Sequence, residues 1–374
     1  LLDHRLAAEA EAEGGQAVEV IRRVLNDFPG WPPARYRIVG SLIARAEALQ
    51  ELNRKDEAVA CTAEAVAQAE RLGQIAATGP NYRSKLADAY YAHARALHAA
   101  GKTKEGLEFR RRSAALSEKL WQDFPNVPTY GNEYGYRLSG LTFALGTTGQ
   151  FKEAWAEGQK AIAVFEKLVE QYPTVTDNRF RLAEVCVSTS AVAGLVGEPA
   201  AQEAVLRKGI AAIEPLALER KNPSHLRVLA FLRYNLAENR LAAGDPDGAV
   251  AAYRGAIAAM PANPDLHNDL GAVLCDVKRD YDGAAAAFRE AIKLTPKNPQ
   301  FHANLGNALW LKKDYDGAAA AYQEATTLDP KDLKTHLLLG RALKTKRDPK
   351  GAAAAYREVV KLAPTNLEGH YELG

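Results

Sequence analysis

The chain is poor in the residues that announce covalent or metal chemistry: its 374 residues hold three cysteines and one methionine. Cys61, Cys186 and Cys275 are an odd number set far apart, so they build neither a disulfide framework nor a zinc motif. A reducing, cytoplasmic setting is the simpler expectation. Excess charge of one sign is missing too. The formal net charge is +2, with acidic and basic residues interleaved, which argues against a nucleic-acid binder and its concentrated basic stripe. No stretch approaches the ~18 continuous apolar residues of a membrane span, so no membrane insertion is expected. The opening LLDHRLAAEAEAEGG lacks the apolar segment of a secretory signal, although the chain begins at Leu1 and not at Met. Hydrophobic residues at 47% and charged residues at 25% give the balance of a globular protein with a core to bury, which excludes disorder as its general state.

Catalytic signatures are absent as well. There is no glycine-rich loop, HRD, HExxH or serine elbow, and the triplet Asp27-Phe28-Pro29 is not a kinase DFG. Gly101-Lys102-Thr103 looks like the end of a phosphate loop, but that loop needs a glycine five residues earlier, where Ala96 stands inside an expected helix. His267, His302, His336 and His370 recur at 35, 34 and 34 residues and invite a metal ladder. Helix layers ~10 Å apart are too distant for shared ligation at ~2.1 Å. No metal, cofactor or catalytic residue is expected.

What is present is repetition. DPDGAVAAYRGAIAAMPANP from Asp245 returns, varied, from Asp280, Asp314 and Asp348, at spacings of 35, 34 and 34. A Leu-small pair precedes each: Leu236-Ala237, Leu270-Gly271, Leu305-Gly306 and Leu339-Gly340, with Leu373-Gly374 opening one more. In the unit beginning at Pro299, Leu305, Gly306, Ala318, Tyr322, Ala325 and Pro330 strongly resemble the tetratricopeptide pattern. Small residues at 306 and 318 let two antiparallel helices approach, Leu305 and Tyr322 fill the space beside them, and Pro330 ends the second helix. The resemblance implies an all-α fold, a right-handed α-solenoid of antiparallel helix pairs.

A longer version precedes it. Asn53, Gly101, Gly149 and Gly197 are spaced by 48, each just before a helix start, and Phe124-Pro125 and Tyr172-Pro173 keep the same interval. Relative to 34, this adds roughly two turns to each helix at ~3.6 residues per turn. We therefore expect residues 1–222 to form long repeats and 223–374 ordinary ones. The expected pairs are a short one at 1–33, long ones at 34–79, 80–127, 128–175 and 176–222, and ordinary ones thereafter.

The resemblance implies where a partner sits. In that family the first helix of each pair lines a concave groove through its positions 2, 5, 9 and 12. Those are Phe231, Tyr234, Glu238 and Leu241; then Asp265, Asn268, Ala272 and Cys275; then Gln300, Ala303, Asn307 and Trp310; then Lys334, Leu337, Arg341 and Lys344. Lys334, Arg341 and Lys344 share a helix face, either as a seat for acidic groups or as an ordinary solvated face. Asn235 and Asn304 stand where some members carry an asparagine ladder gripping peptide backbone, interrupted here by Asp269 and Leu338. The chaperone-binding clamp is not supported, since Asn307 lacks its lysine, having Ala303. The expected function is a non-catalytic scaffold for protein or peptide partners. An alternative is the docking arm of a larger enzyme, since the long repeats look like those appended to bacterial eukaryotic-like Ser/Thr kinases. An assembly factor is a third reading, by analogy alone.

Overall fold

The computed structural model describes residues 2–75 and 79–373. Those residues form helices and connecting turns, with no strand among them. The chain divides into two compact units, Leu1–Ile213 and Glu214–Gly374.

Unit 1 begins with α1 (Leu2–Asp27) and continues as pairs α2 (Pro32–Glu51) with α3 (Lys55–Ile75), α4 (Pro80–Ala99) with α5 (Thr103–Asp123), and α6 (Pro128–Thr147) with α7 (Phe151–Gln171). α8 (Thr176–Leu195) and α9 (Pro199–Arg220) follow, α9 running past the unit boundary. Each helix packs against the next in sequence up to α8. α1 corrects one expectation, because 1–33 holds a single helix of 26 residues where a helical pair was expected. Gly14-Gly15 looks like a break, yet both stay helical. A Cβ on Gly14 would stand 3.0 Å from the Arg45 side chain, so the glycine permits a close approach to α2.

The 48-residue period has a local cause. Gly101, Gly149 and Gly197 lie at φ of 81°, 80° and 78°, the left-handed region where a helix C-terminus is closed without a Cβ penalty. The amide of Gln150 returns to the Leu145 carbonyl at 2.9 Å and that of Lys102 to Leu97 at 2.8 Å, which completes such a turn. Gly101 is therefore a helix-closing residue.

Unit 2 takes up the end of α9 and adds α10 (Pro223–Ala242), α11 (Pro246–Ala259), α12 (Pro264–Asp276), α13 (Tyr281–Leu294), α14 (Pro299–Leu311), α15 (Tyr315–Leu328), α16 (Leu333–Thr345), α17 (Pro349–Leu362) and α18 (Leu367–Leu373). Helices α2 to α10 run 20–22 residues, and α11 to α17 run 13–14, so the pair α10–α11 joins a long first helix to a short second one. The Leu373-Gly374 pair falls at the limit of the described residues, with Gly374 outside them.

Capping differs between the two kinds of repeat. Asp245, Asp280, Asp314 and Asp348 each accept the amide of the glycine three residues on at 2.9 Å, closing the start of α11, α13, α15 and α17. Asn263, Asn298 and Asp332 cap α12, α14 and α16 by accepting the amide two residues on. In unit 1, α2, α4, α6 and α8 start from Trp31, Gly79, Val127 and Val175, none of which makes a side-chain cap bond. Inside the repeats, a Cβ on Gly306 would stand 2.5 Å from the Tyr322 ring, and one on Gly340 2.5 Å from Tyr356. The missing side chain is what lets those rings bury between paired helices.

Candidate functional site

In unit 2 the first helices α10 and α12 border one cavity and α12 meets α14, and the groups expected to contact a partner divide by what they touch. On α14, the Gln300 amide nitrogen donates to the Asn304 oxygen at 2.8 Å. Asn304 in turn donates to the Asn268 oxygen of α12 at 2.8 Å. Asn268 completes the run by donating to the Asp269 carboxylate at 3.2 Å. Asn307 instead accepts the Tyr322 hydroxyl at 2.8 Å, which ties it to the second helix of its own pair. Asn235 donates to the Phe231 carbonyl of its own helix at 2.8 Å, so it does not join Asn304 in a ladder.

Between α10 and α12 opens a cavity of about 340 Å³, lined by Ala230, Phe231, Tyr234, Met260, Leu266 and, at its polar edge, Arg227, Asn263, Asp265 and Asp269. Phe231 is 49% exposed. Tyr234 is half-buried and meets Tyr253 edge-on at 5.8 Å. Asp265, Asp269 and Glu238 make no ion pair with any described residue. Burial pushes the Asp269 carboxyl up, and the nearby Glu238 and Asp265 charges push in the same direction. Burial also raises the Tyr234 phenol, with the same three carboxylates adding to the effect.

The basic trio behaves differently from the seat that the spacing suggested. Arg341 binds Glu368 of α18 through Nε at 2.8 Å and again through Nη2. Lys344 binds Glu372 at 2.5 Å. Two of the three cations are therefore paired from α18, the first helix of the next repeat, and only Lys334 stays without a charged partner among the described residues. Trp310 packs edge-on against Tyr315 at 5.0 Å, across the turn between α14 and α15. Cys275, expected to line the groove, is 4% exposed, with burial pushing its thiol up to about 11.

The recurring histidines have a structural partner that sequence spacing did not reveal. His267, His302, His336 and His370 each place Nε2 against the carbonyl of Pro261, Pro296, Pro330 or Pro364, six residues earlier, at 3.0, 2.8, 3.1 and 2.8 Å. A carbonyl can only accept, so Nε2 carries the proton and is committed to pinning the inter-repeat turn. Among the described residues no group of three or more His, Cys, Asp or Glu is arranged to hold a metal. His93 lies 2.9 Å from the Thr62 hydroxyl, but that hydroxyl also lies 2.9 Å from the Ala58 carbonyl and both side chains are buried, which suits a structural bond rather than nucleophile activation.

Unit 1 carries a polar face that sequence reasoning passed over. Its first helices bond sideways to one another: Arg95 to Glu47 at 3.0 Å, Arg137 to Asp88, Ser84 to Glu133 at 3.0 Å, and Asn132 to Asn178 at 2.9 Å. A cavity of about 420 Å³ opens there beside Tyr91 and Tyr136. Burial raises the Glu133 carboxyl. The signal was available, because these partners stand 46 to 49 residues apart, close to the repeat period itself.

Models of the tetratricopeptide repeat match residues 234–275, 277–332 and 333–366. No curated protein matches the sequence. Among solved structures, BtubC (BKLC) from P. vanneervenii is 17% identical, with 68% of this chain and 91% of that one covered and a TM-score of 0.54, which shows a shared helical-repeat fold. YrrB, described as a TPR protein with an unusual peptide-binding site, is 16% identical over 55% of this chain and 96% of that one, with a TM-score of 0.42. MamA from Desulfovibrio magneticus RS-1 is 23% identical over 50% of this chain and 97% of that one, with a TM-score of 0.40. No enzymatic family is indicated by these matches. No helix among the described residues is long and apolar enough to cross a membrane.

Proposed function

On the premise that residues 234–366 are tetratricopeptide repeats, we propose that the chain is a non-catalytic scaffold. Its repeats from residue 223 on, ordinary apart from the long α10, hold an extended segment of a protein partner along their concave first-helix surface. The observation that carries this reading is the hydrogen-bonded run from Gln300 through Asn304 and Asn268 to Asp269. A carboxylate only accepts, so Asn268 must turn its nitrogen toward Asp269 and its oxygen toward Asn304, and the order propagates to Gln300. Asn268 and Asn304 then each keep one N–H and one oxygen lone pair free. Those are the two groups that an extended peptide unit needs.

The partner's chemistry follows from charge. At the seat for acidic groups expected at Lys334, Arg341 and Lys344, Arg341 and Lys344 already pair with Glu368 and Glu372. At the other end of the face, Glu238, Asp265 and Asp269 make no ion pair with a described residue around Phe231 and Tyr234, and three carboxylates stand there against the single cation Arg227. A lysine or arginine of the partner would gain both carboxylate pairing and a cation–π contact, the latter about 0.5–2 kcal/mol. The same surface would serve a free scaffold or the docking arm of a larger protein.

Selection from a randomised peptide library displayed on phage, with the full chain as bait, tests this reading. Peptides carrying Lys or Arg should be enriched, and the D265N/D269N double variant should lose that enrichment. Enrichment of acidic peptides would sink the proposal.

A further inference from the structure

The cavity of about 420 Å³ in unit 1 is lined by residues of α2, α4 and α6, Gly40 among them. Gly40 stands inside the 20-residue helix α2, where glycine weakens a helix relative to alanine. Other helical glycines of this unit make room for packing: a Cβ on Gly135 would stand 2.5 Å from the Phe165 ring, and one on Gly158 2.6 Å from Thr189. A Cβ on Gly40 would meet nothing within 4 Å. The same register position carries Asp88, Tyr136 and Glu184 one, two and three periods of 48 residues on, so the side chain is missing in the α2 copy. Charges around the space are already answered at their edges. Asp88 pairs with Lys85 at 3.2 Å and with Arg137, and Glu47 pairs with Arg95 at 3.0 Å. Cations here also lie over rings: Arg137 is 4.4 Å from the Tyr91 centroid and 5.7 Å from that of Tyr136, and Lys85 Nζ is 4.9 Å from that of Tyr36. Arg95 lines the cavity too, yet no ring covers its guanidinium among the described residues.

We propose that this cavity receives an aromatic side chain of a protein partner, seated over Gly40 beside Tyr91 and Tyr136 with Arg95 against its face. The two tyrosine rings, 5.1 Å apart and tilted by 43°, offer edges and faces to a third ring. Lys85, Arg95 and Arg137 stand against Asp88 and Glu47 in the lining, and this cation excess attracts the electron-rich face of a ring. A partner's carboxylate would have to displace Asp88 or Glu47 from those cations, whereas a neutral ring uses only the flat face that Arg95 leaves open. The volume lies toward the small end of the ~300–1,000 Å³ of ligand pockets, room for a side chain rather than a large molecule. The missing Cβ lets the partner come close to the α2 backbone. The inference rests on unit 1 and is independent of the groove proposed in unit 2.

The test titrates the full chain with Ac-Gly-Trp-Gly-amide, with Ac-Gly-Leu-Gly-amide and Ac-Gly-Glu-Gly-amide as comparison probes, and follows the Gly40 amide by NMR, where a ring seated above it gives a ring-current shift. The Trp peptide should shift that signal saturably, and the Leu and Glu peptides should bind at least about tenfold more weakly. Gly40→Leu, which fills the space, should lose the response to the Trp peptide and melt no lower than the parent. Gly73→Leu, on α3 where a Cβ also meets nothing within 4 Å, should keep the response, since Gly73 does not line the cavity. The absence of a saturable shift, equal binding of the Leu peptide, tighter binding of the Glu peptide, or a full response in Gly40→Leu would each overturn the proposal. So would a lower melting temperature for Gly40→Leu, which would mean that the space above Gly40 is already filled.

Discussion

At the scale of single residues, the repeats are held by small side chains that make room for large ones. Tyr322 is 1% exposed, lies over Gly306, and sends its hydroxyl to Asn307 at 2.8 Å. Tyr253 reaches Glu238 in the same way, while Phe288, with no hydroxyl to satisfy, has Ala272 at the corresponding position. Gly306→Val would place methyl groups inside the Tyr322 ring. The ring cannot move without exposing itself, so the substitution should cost about 1–3 kcal/mol. The midpoint of the urea transition should fall accordingly, and an unchanged midpoint would show that the contact at 306 is not tight.

At the scale of the helical element, ends matter more than middles. In unit 1 the turns between paired helices are closed by Asn53, Gly101, Gly149 and Gly197; in unit 2 Gly244 closes the α10–α11 turn, whereas Arg279, Lys313 and Arg347 close the later ones at φ of 55°, 68° and 68°. An L-residue there carries a steric cost of roughly 1 kcal/mol that glycine avoids. Lys313→Gly is therefore expected to raise stability by about 0.5–1 kcal/mol, read as a higher melting temperature. Lys312, next to it, holds the ion pair to Asp282 at 2.6 Å and is left intact by this change. A lower melting temperature for Lys313→Gly would mean that the side chain contributes something the backbone argument omits.

Across the whole molecule, helix positions were legible because each turn is punctuated by proline, glycine or an Asx cap at a fixed interval, and those signals act locally. The expected pair at 1–33 is one helix, and its Gly14 serves a contact with Arg45 of another helix, which no local pattern announces. The same division runs through the candidate site. Register alone places Asn268 and Asn304 on adjacent first helices, but not the bond between them. Arg341 and Lys344 share a face by spacing, yet their partners Glu368 and Glu372 lie 27 and 28 residues on, in the next repeat. The missed polar face of unit 1 follows the 48-residue period, so comparing charges one period apart would have exposed it. The sideways bonds between first helices in each unit are what sequence periodicity hints at without pairing.

The central claim, that the ordinary repeats hold a peptide through their acidic, aromatic end, is tested most directly by one titration. Fluorescence anisotropy of a labelled Lys- or Arg-containing peptide from the library selection would be measured against the parent chain, D265N/D269N and K334E/R341E. The account predicts that Kd rises at least about tenfold for D265N/D269N and stays within about twofold for K334E/R341E. Loss of binding in K334E/R341E with full binding in D265N/D269N would contradict it.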